Sequence, residues 1–176
     1  QHRYFAALLV LRHFVQAISH YYFSSEHGAK NVDLFVLTPS VSSPMGPGSD
    51  SKPVSVTFGG LQTHLVDSSQ FGFEPLLLQS PGMVYCYSPS MRDEDPDARH
   101  LNQFYQCESE MTGDLEDIIP VVEGYVRRLC EMLKVLAPTV QTVSDMPEAS
   151  LAAFATIVQT ERFPRIAFDD AVELLL

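Results

Sequence analysis

The sequence predicts an α+β fold in which an antiparallel sheet is flanked by helices. Three observations carry this. A stretch with helical apolar spacing opens the chain. Short alternating apolar runs, punctuated by Gly and Pro, fill its middle. Three further helical stretches, each with a proline or acidic start signal, follow.

The elements follow in order. From Arg3 to Tyr22 the apolar residues Phe5, Leu8, Leu9, Leu11, Val15 and Ile18 share one wide helical face. Gly28 marks the end of the turn that follows. Val32 to Thr38 is a β-rich run stopped by Pro39, expected as a half-buried strand. Residues 40–53 hold serines, prolines and glycines without period, and read as a long loop of the kind that often serves binding. Val54 to Phe58, the Gly59-Gly60 turn signal and His64 to Asp67 predict a hairpin. Gln70 to Leu78 is a short helix broken by Pro81-Gly82. Met83 to Ser88 is a strand that Pro89 helps to close. A charged, Pro96-containing loop then leads to a second extended segment, Leu101 to Met111. Leu115 to Leu136 is an amphipathic helix with Asp114 as its N-cap and Pro120 near its start. Ser144 and Pro147 open another helix, to about Thr160. Arg165 to Phe168 is expected as a short strand, and Asp169-Asp170 begins a last helix.

Composition excludes several classes. A chain of 176 residues suits one domain, and 45% hydrophobic against 19% charged residues excludes disorder. The formal net charge of −11 argues against broad nucleic-acid binding by this segment alone, while leaving room for a local pocket for a small anion. Cys86, Cys107 and Cys130 form neither an even framework nor a CxxC pair, so buried thiols in a reducing, cytoplasmic setting are expected. No secretory signal is expected. The apolar stretch Tyr4 to Ile18 contains Arg12 and His13 and falls short of the roughly 20 residues a membrane span needs.

The central ribbon carries the chemistry. Residues two apart on a strand share a face, so Arg92, Glu94, His100, Phe104, Glu108 and Glu110 can line one hairpin, many on one side. Arg92 is a planar donor fork suited to phosphate, and His100 can meet a second phosphate group. Phe104 offers a flat face to a purine. Glu94 can accept from an exocyclic amine, and Glu108 can hold an ammonium group. Singly, each has an ordinary structural use: a surface ion pair, a core aromatic, a solvated histidine. Their joint spacing describes a nucleoside triphosphate beside an amino acid. Gly46 and Gly48 lack the lysine and hydroxyl residue of a P-loop. Without HExxH or CxxC there is no dedicated protein metal cage, whereas Mg2+ bound mainly through a triphosphate fits. Ser68, His64 and Asp67 lie close in sequence but lack the strained turn that presents a nucleophile.

The run Met91-Arg92-Asp93-Glu94, then Arg99-His100-Leu101-Asn102-Gln103-Phe104 and Glu108-Ser109-Glu110, resembles motif 2 of class II aminoacyl-tRNA synthetases, nearest the aspartyl and asparaginyl branch. Ser68 to Glu74 looks like the start of that branch's amino-acid-binding helix. Val36 to Pro39 resembles motif 1, whose proline lies at a dimer interface, and Ser42 to Pro53 resembles the loop that closes on the amino acid. Arg165 to Leu174 is similar to a later segment of the catalytic domain. The resemblance implies a class II catalytic core over residues 1–176, ATP and Mg2+ as cofactors, an asparagine or aspartate substrate, a homodimer, and tRNA as partner of a full-length enzyme. It implies that Arg92 holds the α-phosphate and is the catalytic residue. It assigns Glu94 to the adenine amine, Arg99 and His100 to the γ-phosphate, Phe104 to stacking on adenine, and Gln70 and Glu108 to the substrate's α-amino group. Glu74 would read the side-chain amide. The aspartyl type carries a lysine one residue earlier, where this chain has Phe73, and a lone carboxylate repels an aspartate side chain.

The chain departs from the pattern at Met91, Ala98 and Gln103. Motif 3 and an anticodon-binding domain are not recognised in it, so a catalytic core incomplete at its C-terminus is expected. The leading expectation is therefore an ATP-dependent ligase that activates asparagine, or aspartate, as an acyl-adenylate. The alternatives are a tRNA-independent, asparagine-synthetase-like amide ligase and a non-catalytic paralogue.

Overall fold

The computed structural model describes residues 2–42, 52–98 and 100–175. The chain divides into two compact units, Ser19–Asp114 and the pair of segments Gln1–Ile18 with Leu115–Leu176. The loop expected over residues 40–53 lies largely outside the described residues, as does Arg99.

The Ser19–Asp114 unit holds two three-stranded sheets. In one, β1 (Lys30–Asn31) runs parallel to β5 (Met83–Met91), which pairs antiparallel with β6 (Gln103–Met111). In the other, β2 (Leu37–Thr38) and β3 (Ser55–Phe58) flank β4 (Leu61–Leu65), all antiparallel. The helix α2 (Gln70–Gln79) follows β4 and precedes β5 in sequence. The α+β class holds, with one parallel pair added to the expected antiparallel pattern.

The β3–β4 hairpin forms as its glycines require. Gly59 and Gly60 take φ of 58° and 81°, and a two-residue turn of the I′ kind needs positive φ at both. That turn sets Phe58 opposite Leu61, so β4 starts earlier than the expected His64. The run 32–38 is not one strand. Only its last two residues pair, as β2 of the second sheet; β1, just before the run, belongs to the first sheet, and the chain crosses from one to the other between them. Gly28 behaves as expected, at φ 64° after a wide helical turn over Tyr21–Glu26 that buries Tyr22 and Phe23.

Strand β5 continues through Pro89 to Met91 rather than closing there. The register explains why. Arg92 donates its N–H to the Asn102 carbonyl at 2.9 Å, and Met91 donates away from β6, to Val66, at 2.8 Å. N–H groups alternate sides along an antiparallel strand, so the nitrogen of Pro89 faces away from β6 and no ladder bond is lost. One face of the ribbon carries Val84, Cys86, Ser88, Ser90 and Phe104 through Glu110 by twos. The other carries Tyr85, whose ring stacks on Phe23 with 5.5 Å between centroids, and Tyr87, which stacks on Tyr105 at 5.9 Å. Helix α2 covers the first face. Phe73, Leu77, Val84 and Cys86 form a buried cluster that Val32 and Leu34 extend.

In the other unit, α1 (His2–His20, its last two residues belonging with the first-described unit) shows the expected apolar face, yet Phe5 and Leu9 are 66% and 69% exposed. The helices α3 (Leu115–Val135), α4 (Ala137–Val143), α5 (Pro147–Gln159) and α6 (Phe168–Leu175) follow. The sequence reading missed α4, a short helix with Pro138 in its first turn. The segment expected as a strand at 165–168 is irregular up to the start of α6, and Arg165 instead grips the Glu116 carboxylate with contacts of 2.9 and 2.8 Å. Arg127 caps the end of α5, donating to the Thr160 carbonyl at 2.9 Å and the Glu161 carbonyl at 2.6 Å. Of the cysteines, all free, Cys86 and Cys130 are buried as expected and Cys107 is only half-buried.

Phe73 is 1% exposed and anchors the α2 face of the ribbon. Phe73→Ala should cost about 3–5 kcal/mol of unfolding free energy. Urea denaturation checks this: the midpoint should fall with an unchanged m-value, and a loss below about 1 kcal/mol would mean the cluster does not hold the helix to the sheet.

Candidate functional site

Among the described residues, Phe104 and Glu108 lie on one face of the β5–β6 ribbon, Arg92, Glu94 and His100 in the loop between its strands, and Gln70 and Glu74 at the start of α2. Arg92, Glu94, His100, Leu101 and Phe104 line one cavity of about 320 Å³. The Arg92 guanidinium carbon sits 5.5 Å from the centre of the Phe104 ring. Arg92 Nε is buried and meets no hydrogen-bond partner among the described residues. A buried charged donor left unpaired costs at least about 1–3 kcal/mol, so this N–H gains most from an anion.

The loop that shapes the cavity is held by short polar side chains that bond to its own backbone. Asn102 donates its side-chain amide to the carbonyls of both Arg92 (3.0 Å) and Glu94 (2.5 Å). Asp97 closes the turn, accepting from the His100 N–H at 2.8 Å and lying 2.9 Å from His100 Nδ1. Asn and Asp hold turns in this way because a short polar side chain reaches nearby backbone. His100 is exposed, and this carboxylate fixes its ring from one side. Arg99 has no described position.

Glu108 sits on the same face, two pairs further along. Its carboxylate accepts from Ser68 Oγ at 2.7 Å and from the Ser69 N–H at 3.0 and 3.1 Å. Ser69 is the N-cap residue of α2, but its hydroxyl turns to Cys86 Sγ at 2.9 Å. The carboxylate of Glu108 therefore stands in for a cap, placing negative charge at the positive end of the helix. Two carboxylate oxygens offer about four acceptor directions. The serines use only some of them, so Glu108 keeps capacity for an ammonium donor.

On α2 itself, Gln70 donates to Glu74 Oε1 at 3.3 Å, and both side chains are exposed. Glu74 also lines a second cavity of about 540 Å³ with Leu77, Leu78, Glu110, Met111 and Thr112. Burial pushes the Glu110 carboxyl above its ordinary value, and the charge of Glu74 pushes it the same way. Residue-by-residue reading missed Leu101, which walls the first cavity, and Ser68 and Ser69, which hold Glu108. Serines just before a helix are a visible capping signal; that a distant glutamate would take over the cap is not.

Among the described residues, the motif-2-like run thus folds as two paired strands and the loop between them, with Phe104 and Glu108 on one face of the pair and Arg92, Glu94 and His100 lining the cavity with Phe104. The chain matches the model of class II tRNA synthetases (D, K and N) over residues 6–175. It belongs to that family. An asparagine–tRNA ligase of Koribacter versatilis is 27% identical over 174 residues, 97% of this chain and 36% of that one. One of Chloroflexus aurantiacus is 32% identical over 99 residues, 53% of this chain and 21% of that one. Among solved structures, the asparaginyl-tRNA synthetase of Pyrococcus horikoshii, complexed with asparaginyl-adenylate, superposes with a TM-score of 0.80 at 21% identity, covering 97% of this chain and 37% of that chain. The class II synthetase fold is therefore shared. The chain spans little more than a third of the length of these relatives over its near-complete matches.

Glu110 gives a test of the site's electrostatics. Its folded pKa lies above the unfolded value, so its contribution to stability is full below the unfolded pKa and is lost as pH rises through the folded one. NMR titration should find a raised midpoint for Glu110. Glu74→Gln should lower that midpoint without restoring it fully, because burial remains the larger cause, and should make the protein relatively more stable above it. An unmoved midpoint would show that Glu74 does not act on Glu110.

Proposed function

We propose that residues 1–176 belong to the catalytic core of an asparagine–tRNA ligase and activate asparagine with ATP. The observation that carries this is the Arg92–Phe104 cavity: a buried, unpartnered guanidinium N–H beside an aromatic face, walled by Glu94 and His100. The donor set fits a nucleoside triphosphate. Arg92 takes the α-phosphate, His100 with Arg99 the γ-phosphate, Phe104 the adenine ring and Glu94 its exocyclic amine. Mg2+, arriving with the triphosphate, supplies further charge neutralisation. Gln70 and Glu108 hold the substrate's α-amino group, and Glu74 accepts from its side-chain amide.

In the proposed reaction an asparagine carboxylate oxygen bonds to the α-phosphorus as the α–β bridging P–O bond breaks. Pyrophosphate leaves with that electron pair. The chain supplies position and charge: Arg92 faces the phosphorus whose oxygens gain negative charge, and Glu108 fixes the attacking molecule by its other end. Transfer of the acyl group to tRNA, with release of AMP, completes the proposed cycle. A homodimer is part of the proposal, supported by exposed Phe5, Leu9 and, next to the motif-1-like run, Phe35 at 89%. A cytoplasmic setting is supported by three free thiols. No helix among the described residues is long and apolar enough to cross a membrane.

The test is ATP–pyrophosphate exchange by the full-length protein that carries this chain. Exchange is expected with asparagine and not with aspartate, and Arg92→Ala should lower kcat/KM by about 10²-fold or more. Exchange with neither amino acid overturns the proposal; exchange with aspartate alone overturns the amide-reading role of Glu74.

A further inference from the structure

Asp67 is 1% exposed, a buried carboxylate outside the ribbon that the proposed reaction does not use. It accepts from the Ser42 N–H at 3.1 Å on one oxygen and from the Ser42 hydroxyl at 3.0 Å on the other. A carboxylate is removed from water at high cost and stays only where both oxygens are matched. Its surroundings are unusually well tied. The preceding residue, Val66, donates to the Val36 carbonyl at 2.8 Å and accepts from the Met91 N–H at 2.8 Å, so Asp67 follows directly on the point where the two sheets are stapled together. The next two residues, Ser68 and Ser69, hold Glu108.

We infer that Asp67 is a positioning residue that joins Ser42 to the Ser68–Ser69–Glu108 clamp, so that the place of the clamp depends on the Ser42 contact. The path is short and made of strong links: a two-point charge-assisted bond, two peptide units, then a second two-donor bond to a carboxylate. Asp67 is the residue type this needs, since only a carboxylate accepts on both atoms; an asparagine offers one acceptor and faces the other partner with an NH2. A matching tie lies beside Arg92, where the Asp93 N–H donates to the Lys52 carbonyl at 2.8 Å. The consequence for amino-acid binding rests on the role proposed above for Glu108; the mechanical link does not.

The experiment is hydrogen exchange of single amides on the full-length protein, in the parent and in Ser42→Ala, Ser42→Thr and Asp67→Asn. Ser42→Ala should speed exchange at the Ser69 amide about tenfold, as loss of one charge-assisted bond in the path predicts. Asp67→Asn should do the same to a smaller extent, and Ser42→Thr, which keeps the hydroxyl, should restore the parent rate. The Arg92 amide, bonded within the ribbon, should not change in any of them. An unaltered Ser69 amide in Ser42→Ala, or equal acceleration at Ser69 and Arg92, overturns the inference. In pyrophosphate exchange the same variant should raise KM for asparagine about tenfold and leave KM for ATP alone. Parallel movement of both KM values counts against the link. A parent without exchange activity defeats the proposed function, and the Ser69 amide then still decides on Asp67.

Discussion

The antiparallel register of β5 and β6 is the constraint on which the rest depends. Side chains alternate along a strand, so a slip of one residue would send every group on the cavity face to the opposite side. Several independent contacts fix the register. The Arg92 N–H meets the Asn102 carbonyl, and Ser90 Oγ donates to Gln106 Oε1 at 2.7 Å on one face while Tyr87 stacks on Tyr105 on the other. Burial adds a further term, because Val84 and Cys86 must face Phe73 and Leu77. Core and site share one face of the ribbon. Packing at the α2 end therefore sets the position of Phe104 and Arg92 at the loop end.

The two ends of this face treat charge in opposite ways. At the α2 end the carboxylate of Glu108 is engaged by a hydroxyl and a backbone N–H at a helix start, so its negative charge is stabilised within the chain. At the loop end the buried Nε of Arg92 is left without a described partner. The structure bears that cost only because β5, β6 and Asn102 hold the loop in place. On the proposed reading, a face satisfied at one end and unsatisfied at the other suits an anion at the loop end. The net charge of −11 does not oppose this, since at physiological salt surface charges beyond about 8 Å are largely screened and the cavity carries its own local charge.

What the sequence revealed, and what it hid, divides along physical lines. The hairpin at Gly59-Gly60, helix α2, the ribbon and the long helix α3 were legible because each rests on a local signal: positive-φ glycines, period-two alternation, or a wide apolar helical face. The run 32–38 misled because β-rich composition does not say which partner a strand will find: only Leu37–Thr38 pairs, in the second sheet, while the residues just before the run pair in the first. Pro89 misled because proline blocks a strand only on the side where an N–H is needed. Arg165 to Phe168 misled because an apolar pair beside an arginine was read as a strand, when the arginine's carboxylate partner lies far back in the chain at Glu116. The cavity residues were legible jointly, through the motif they resemble. Ser68, Ser69 and Asp67 were not, because their partners, Glu108 and Ser42, are distant in sequence.

Phe73 and Glu74 show how a helix can separate two jobs within one dipeptide. Neighbouring residues on a helix point about 100° apart. Phe73 accordingly turns into the core while Glu74 faces out, beside Gln70 and the Glu110 cavity. A lysine at the Phe73 position would have to leave the core cluster, so the core itself argues against a cation there. On the proposed reading this is the origin of the preference for an amide. A carboxylate accepts from an amide NH2 without charge repulsion, whereas an aspartate side chain brought to about 4 Å of it meets a repulsion of roughly 4 kcal/mol at an effective dielectric near 20. Burial, and then the charge of Glu74, push the Glu110 carboxyl above its ordinary value, so Glu110 adds to the repulsion of an aspartate only where it is ionised. Selectivity would then come less from a tight pocket than from the absence of a cation where the packing has already placed a phenylalanine.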